Sequence, residues 1–320
     1  MTDSPRQAPS SQRPGRPAQQ HGVLILDKPK GPTSTWCLET IKRKLGQKKI
    51  GHAGTLDPMA QGVLVIMLGR ATKIGPYLLE GDKTYLGRLK LGETTDTYDA
   101  EGEVTATAPW EHIPADAVEA GIARWLTLTE QEVPPYSAAK HQGKPLYELA
   151  RKGKDVPVKT KPVDILEAQV TEMDLPFVTF RVRVSSGVYI RSLVHSLGMR
   201  LGSGAVLTAL TREYSRPFGL EEARSLDDLL ARPESLPERV ISLTEALRGM
   251  PRIALTGEMA GKVRLGMRLR AADLPPAQAG RETAPGEEAL FLDPEGEALA
   301  VCRAGLFDGE LRWAINRGLW

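Results

Sequence analysis

Only two of the 320 residues are cysteine, Cys37 and Cys302. They lie far apart in the chain and form no disulfide framework, which suits a reducing compartment. Metal-ligand spacing is missing too. The five histidines, His21, His52, His112, His141 and His195, never pair with one another or with a cysteine at the intervals of a zinc site. Long apolar runs are also lacking, since Val63 to Leu68 falls far below the ~18 residues a membrane span needs. No apolar signal core opens the chain. Residues 1–20 are Pro, Ser, Gln and Arg without periodicity, and a disordered basic tail is expected there. These absences point to a cytoplasmic protein with neither membrane anchor nor metal. Two enzyme classes drop out as well. A zinc base deaminase needs His-x-Glu and Pro-Cys-x-x-Cys, and neither occurs. A dinucleotide enzyme or methyltransferase wants a Gly-rich loop after a strand, whereas Gly202-Ser203-Gly204 follows a helical pattern and reads as its stop.

Charge is scarce only in the sum. The net value is +2, yet His21 to Ile50 carries seven Lys or Arg against two acids. Lys140 to Lys161 repeats that excess, and Glu101 to Ala150 carries eight acids against three bases. Basic stretches in a nearly neutral protein suggest a localised phosphate-binding face; solvated helix faces are the plainer alternative.

Periodicity places the elements. Gly22 to Asp27 reads as a short buried strand ended by Lys28-Pro29 and Gly31-Pro32. Thr33 or Ser34 can cap a helix with Leu38, Ile41 and Leu45 on one face, stopped by Gly46. Thr84 to Leu91 alternates, with Tyr85, Leu89 and Leu91 inward. A helix is expected over Ala115 to Leu126, with Val118, Ile122, Trp125 and Leu126 inward. Val178, Phe180, Val182 and Val184 mark a strand. Ile190, Leu193, Val194, Leu197 and Leu201 mark an amphipathic helix. Ser225 and Ser242 open capping boxes. From about Arg252 the chain reads as a compact β module, with a hairpin across Ala289 to Arg303 and a polar loop over Leu274 to Glu288. Its first third holds Arg252, Lys262, Arg264, Arg268 and Arg270, so one edge is expected to face nucleic-acid backbone.

One carboxylate stands out. Gly-His-Ala-Gly-Thr-Leu-Asp-Pro, Gly51 to Pro58, leads straight into the apolar run. Pro58 biases Asp57 toward an extended conformation, and Gly51 and Gly54 leave the backbone bare for a bulky ligand. Such an Asp presents a nucleophile or base to something large. Taken alone, an Asp-Pro more often merely closes its own turn.

Read in order, the segments from Gly22 to Phe218 resemble the bacterial tRNA pseudouridine-55 synthase family. The resemblance rests on Leu26-Asp27-Lys28-Pro29, the Asp57 loop with Gly62-Val63-Leu64, Lys83-Thr84-Tyr85, Leu91-Gly92 and Thr95-Asp96-Thr97. It continues through Tyr136-Ser137-Ala138, Leu146 to Arg151, and Ser186-Gly187-Val188-Tyr189-Ile190-Arg191-Ser192. Three features depart from the family pattern: Pro135 abuts Tyr136, Thr211 stands in the expected Leu-Arg-Arg, and Val188 replaces Thr.

The resemblance implies an α+β fold with a mixed, largely antiparallel sheet and flanking helices. A catalytic unit would span 21–250, and a small β-barrel-like RNA-binding module of the PUA type 251–320. It implies isomerisation of uridine 55 in the tRNA T-arm by Asp57, with the uridine flipped out. His52, Tyr85, Tyr189 and Leu210 would surround the uridine, Arg191 would pair Asp57, and Lys28 and Lys73 would lie near the RNA. Breaking N1–C1′ and making C5–C1′ needs no redox cofactor, metal or energy source, and no obligate protein partner is evident for what is expected to be a monomer. Taken singly, Tyr85 and Leu210 could be core, His52 a satisfied loop histidine, and Tyr189 and Arg191 ordinary neighbours in a fold. The remaining alternative is a tRNA-binding or tRNA-folding protein without catalysis, which would gain little from an acid aimed at RNA.

Overall fold

The computed structural model describes residues 19–152, 156–275 and 283–320. All but the last two residues of the expected tail, and the middle of the Leu274 to Glu288 loop, lie outside the described residues. Gln19 is already fastened, since its side chain donates to Gly46 O and accepts from the Lys48 N–H.

A nine-stranded mixed sheet forms the larger unit. Its main path runs Ile165–Asp174, Phe177–Val184, Lys83–Leu91, Ala205–Ser215, Ala60–Leu68, Gly22–Lys28 and Arg224–Ser225. Neighbours are antiparallel except at two places: Ala205–Ser215 runs parallel to Ala60–Leu68, and Gly22–Lys28 parallel to Arg224–Ser225. The first of these puts Leu210 beside Ala60, where the Asp57 loop enters its strand, and Arg212 opposite Tyr85.

Alternation of side chains on a pleated strand explains the one-sided strands. Val178, Phe180 and Val182 are wholly buried, beneath helix Ile190–Leu201 and the segment holding Trp125. Gly22–Lys28 and Ala60–Leu68 are apolar without alternation because both faces are covered. Leu24, Leu26, Leu64 and Ile66 belong to the main core, whereas Val23, Ile25, Val63 and Val65 belong to a second cluster. Helix Ser34–Lys44 starts as expected, with Thr33 accepting from the Trp36 N–H. One inward assignment fails. The α-helix ends at Ala123 and a tighter turn, Arg124–Thr127, follows. That change of pitch keeps Trp125 buried and turns Leu126 outward, about half exposed.

The second sheet has five strands, in the order Arg252–Ala254, Glu288–Leu292, Ala298–Phe307, Glu310–Gly318 and Leu269–Arg270, with helix Gly257–Arg264 beside it. It has its own core around Ile253, Val263, Phe291 and Trp313. Leu290, Val301 and Leu319 instead join the cluster of Val23, Ile25 and Val65, so this sheet covers the second face of the larger one. No helix among the described residues is long and apolar enough to cross a membrane.

Candidate active site

Asp57 stands on an irregular stretch between the strands Ile50–Ala53 and Ala60–Leu68. Because the stretch lacks ladder bonds, its backbone groups need other partners. Ser34, the first residue of its helix, supplies two: its hydroxyl donates to Leu56 O and accepts from the Leu56 N–H, both at 2.9 Å. The Gly31 N–H donates to Pro58 O at 2.8 Å. Asp57 is therefore carried by a fixed backbone.

Its carboxylate meets Arg191. Arg191 Nε lies 2.9 Å from one Asp57 oxygen and Nη2 donates to the other at 3.3 Å, a forked pairing that fixes orientation as well as charge. The Arg191 side chain is only 6% exposed, against 38% for Asp57, so the cation sits behind the carboxylate and the carboxylate faces open space. Arg191 also donates to Thr97 O at 2.8 Å and Tyr136 O at 3.1 Å, and lies 3.6 Å from the buried Asp99. Asp99 in turn accepts from the Thr97 hydroxyl and the Glu101 N–H.

The open space is a cavity of about 690 Å³, within the usual range for small-ligand pockets. Asp57, Tyr85, Tyr189, Arg191 and Leu210 all line it. Tyr85 comes from the alternating strand, and Leu210 from the neighbouring strand that pairs with the end of the Asp57 loop. Tyr189 caps helix Ile190–Leu201, where its N–H and C=O both bond the side chain of buried Gln131 at 2.8 Å. The arrangement offers one carboxylate held by a buried arginine beside two phenol rings, in a pocket wide enough for a nucleoside.

The protein-family model of TruB family pseudouridylate synthases (N-terminal domain) matches residues 42–190. A tRNA pseudouridine synthase B of Nitratidesulfovibrio vulgaris strain Miyazaki F is 57% identical over 305 residues, covering 95% of this chain and 98% of that one. A tRNA pseudouridine synthase B of Oleidesulfovibrio alaskensis is 54% identical over 305 residues, with 95% and 97% covered. The chain belongs to the TruB family. It is a pseudouridylate synthase, an isomerase. Among solved structures, a Cbf5-Nop10-Gar1 complex matches with a TM-score of 0.71 at 24% identity, over 94% of this chain and 85% of that one. An H/ACA RNP bound to a substrate RNA containing 2'-deoxyuridine matches with 0.68 at 23% identity, with 94% and 85% covered. Both share the α+β fold expected from the sequence.

Three of the residues named from the sequence lie outside the cavity wall of this TruB-family chain. Lys28 is wholly buried, and its ammonium donates to Pro29 O, Pro58 O and Ala60 O at 2.9, 3.4 and 2.8 Å. It ties down the exit of the Asp57 loop. Burial pushes its pKa down. Lys73 donates to Trp320 O at 2.7 Å, at the seam between the two sheets. His52 occupies the strand before the loop and is not part of the cavity wall. Burial, then the charge of Arg212, pushes its pKa below the ordinary histidine value, and among the described residues its buried Nδ1 has no partner. Sequence reasoning passed over Asp99, Ser34 and Gln131. Asp99 had a signal, lying two residues past the quoted Thr95-Asp96-Thr97. Ser34 and Gln131 bond backbone groups of distant residues and had none.

Proposed function

We propose that this chain isomerises uridine 55 in the T-arm of tRNA to pseudouridine, with Asp57 as the catalytic carboxylate. The observation that carries the reading is the forked Asp57–Arg191 pair in the wall of a nucleoside-sized cavity. The names of relatives aligned over nearly the whole chain support tRNA as the substrate.

The reaction breaks the N1–C1′ bond, turns the base within the pocket and forms C5–C1′. The proton lost from C5 is balanced by one gained at N1, so nothing is consumed. Asp57 can begin it as a nucleophile at C1′, as a nucleophile at C6, or as a base that labilises the sugar. Each route starts from a carboxylate whose direction is set, which the fork from Arg191 supplies. Tyr85 offers a ring on which the extruded base stacks and a phenol near C5. Tyr189 and Leu210 close the pocket around the base, offsetting the few kcal/mol that flipping costs. In this reading His52 keeps the loop's entry strand in place and makes no contact with the base. Residues 21–250 form the catalytic unit and 251–320 a PUA-like module, and the protein works as a cytoplasmic monomer.

The test is purified protein with an unmodified tRNA transcript, read by carbodiimide-blocked primer extension. A single new stop reporting pseudouridine at position 55 is expected, with no added protein. Stops at other uridines would overturn the assignment to position 55, and no stop anywhere would overturn the reading.

A further inference from the structure

We infer that Arg212 is a positioning residue for catalysis, holding the backbone of the Asp57 loop in register while Arg191 holds the carboxylate. The inference rests on the reading of Asp57 as the catalytic residue. Arg212 lies on strand Ala205–Ser215, paired with Gly62 on one side and Tyr85 on the other. Its side chain is 1% exposed. From there the guanidinium donates to three main-chain carbonyls: Nε to Val63 O at 2.6 Å, Nη2 to Gly54 O at 3.1 Å and Nη1 to Thr55 O at 3.4 Å. Gly54 and Thr55 precede Asp57, and Val63 follows it. One rigid, planar fork thus fixes the distance between the two ends of the catalytic loop.

Two further observations argue that the guanidinium belongs to the site and is not general packing. Among the described residues Arg212 pairs with no carboxylate, although a buried cation is costly without an opposite charge. An apolar side chain of similar volume would fill the space more cheaply, so what the arginine adds is the three directed bonds. Arg212 also lines the cavity together with Asp57, and its fork holds Gly54 and Thr55, so a shift of the fork moves the loop that aims the carboxylate. Near-attack geometry tolerates little of that, and misplacement by about 1 Å can cost on the order of 100-fold in rate.

The test compares wild type, Arg212→Lys and Arg212→Met on the same tRNA transcript. Single-turnover pseudouridine formation at saturating enzyme, the Kd for tRNA and the thermal midpoint are measured together. For Arg212→Met the expected result is a rate per folded molecule lowered about 100-fold with a Kd within threefold of wild type. Arg212→Lys, which keeps the charge but cannot span three carbonyls, should fall between. An unchanged rate in folded Arg212→Met would overturn the inference. So would a Kd weakened tenfold or more with the rate restored at saturation, because the residue would then serve an RNA phosphate. If Arg212→Met does not fold, Arg212→Lys decides alone: slower chemistry at unchanged Kd and midpoint supports the inference, and the wild-type rate refutes it. A wild-type protein that makes no pseudouridine would instead refute the proposed function.

Discussion

The Asp57 region and the C-terminal sheet both hold many cations, and they use them in opposite ways. Around the loop, Lys28, Lys83, Arg191 and Arg212 are all buried. Of these, only Arg191 is ion-paired among the described residues; the other three spend their protons on main-chain carbonyls. In the C-terminal sheet the cations are surface residues facing acids. Lys262 meets Glu258 at 2.7 Å, Arg264 meets Asp293 at 3.4 Å, Arg270 meets Asp273 at 2.8 Å and Arg312 meets Glu310 at 2.8 Å. Arg252 reaches Glu245, and Arg268 stacks over the Phe307 ring. Buried cations fix geometry because leaving a carbonyl unmet in the interior is costly, while exposed pairs are screened and contribute little. The basic count in the first third of the module therefore overstated its field: four of the five residues expected to face RNA are opposed by acids.

The contrast breaks most visibly at Lys83. Its ammonium donates to Leu79 O and Gly81 O, yet burial, then the charge of Arg212, pushes its pKa from 10.5 down to about 8. Below pH 8 the group is protonated both folded and unfolded, so folding carries the full cost of the buried charge. Between pH 8 and 10.5 the unfolded lysine still binds a proton that the folded one has lost, so this contribution to stability rises with pH. Lys83→Met removes that rise. The stability of the variant relative to wild type should therefore fall by about 2–3 kcal/mol between pH 7 and 10.5. Urea melts across that range measure it, and parallel curves for the two proteins would show that Lys83 is not held as a strained cation.

Next in size is Lys28. Lys28→Met strands the carbonyls of Pro58 and Ala60, and a loss of about 1–3 kcal/mol is expected, partly offset by burying a methionine in place of a charge. Urea melts should show a lower midpoint, and pseudouridine formation should slow at unchanged RNA affinity. A variant that weakens RNA binding alone would return Lys28 to the RNA surface.

These two lysines also mark the limit of what residue patterns reveal. Tyr85 was legible because Tyr85, Leu89 and Leu91 alternate, and the two-sided burial of Val63 to Leu68 because that run does not. The Asp57 loop was legible because Pro58 and two glycines constrain it, whereas the role of its carboxylate came only from the ordered resemblance. Lys28 was not, since Lys-Pro beside Gly-Pro reads as a surface turn and a main-chain carbonyl acceptor has no residue identity to search for. The Lys73 bond to Trp320 O was equally hidden, its partner lying 247 residues away. Leu126 failed because a helix that tightens in its last turn changes its period without changing its composition.

The smallest effects belong to the module. Charge reversal at Arg264 or Arg270 should leave the thermal midpoint within the scatter of replicate melts and change tRNA affinity less than twofold at physiological salt. A tenfold loss of affinity would mean that RNA displaces the acids that oppose these arginines, and the contrast between the two regions would fail.

The central claim is that the carboxylate of Asp57 performs the chemistry while other groups bind the RNA. Asp57→Asn keeps the size and loses the anion. Measured by carbodiimide-blocked primer extension on a tRNA transcript, with affinity followed in parallel, this variant should form no pseudouridine over many wild-type half-times. It should still bind tRNA within about tenfold of wild type, or 1.4 kcal/mol. Pseudouridine accumulating at position 55 at a rate close to wild type would contradict the claim.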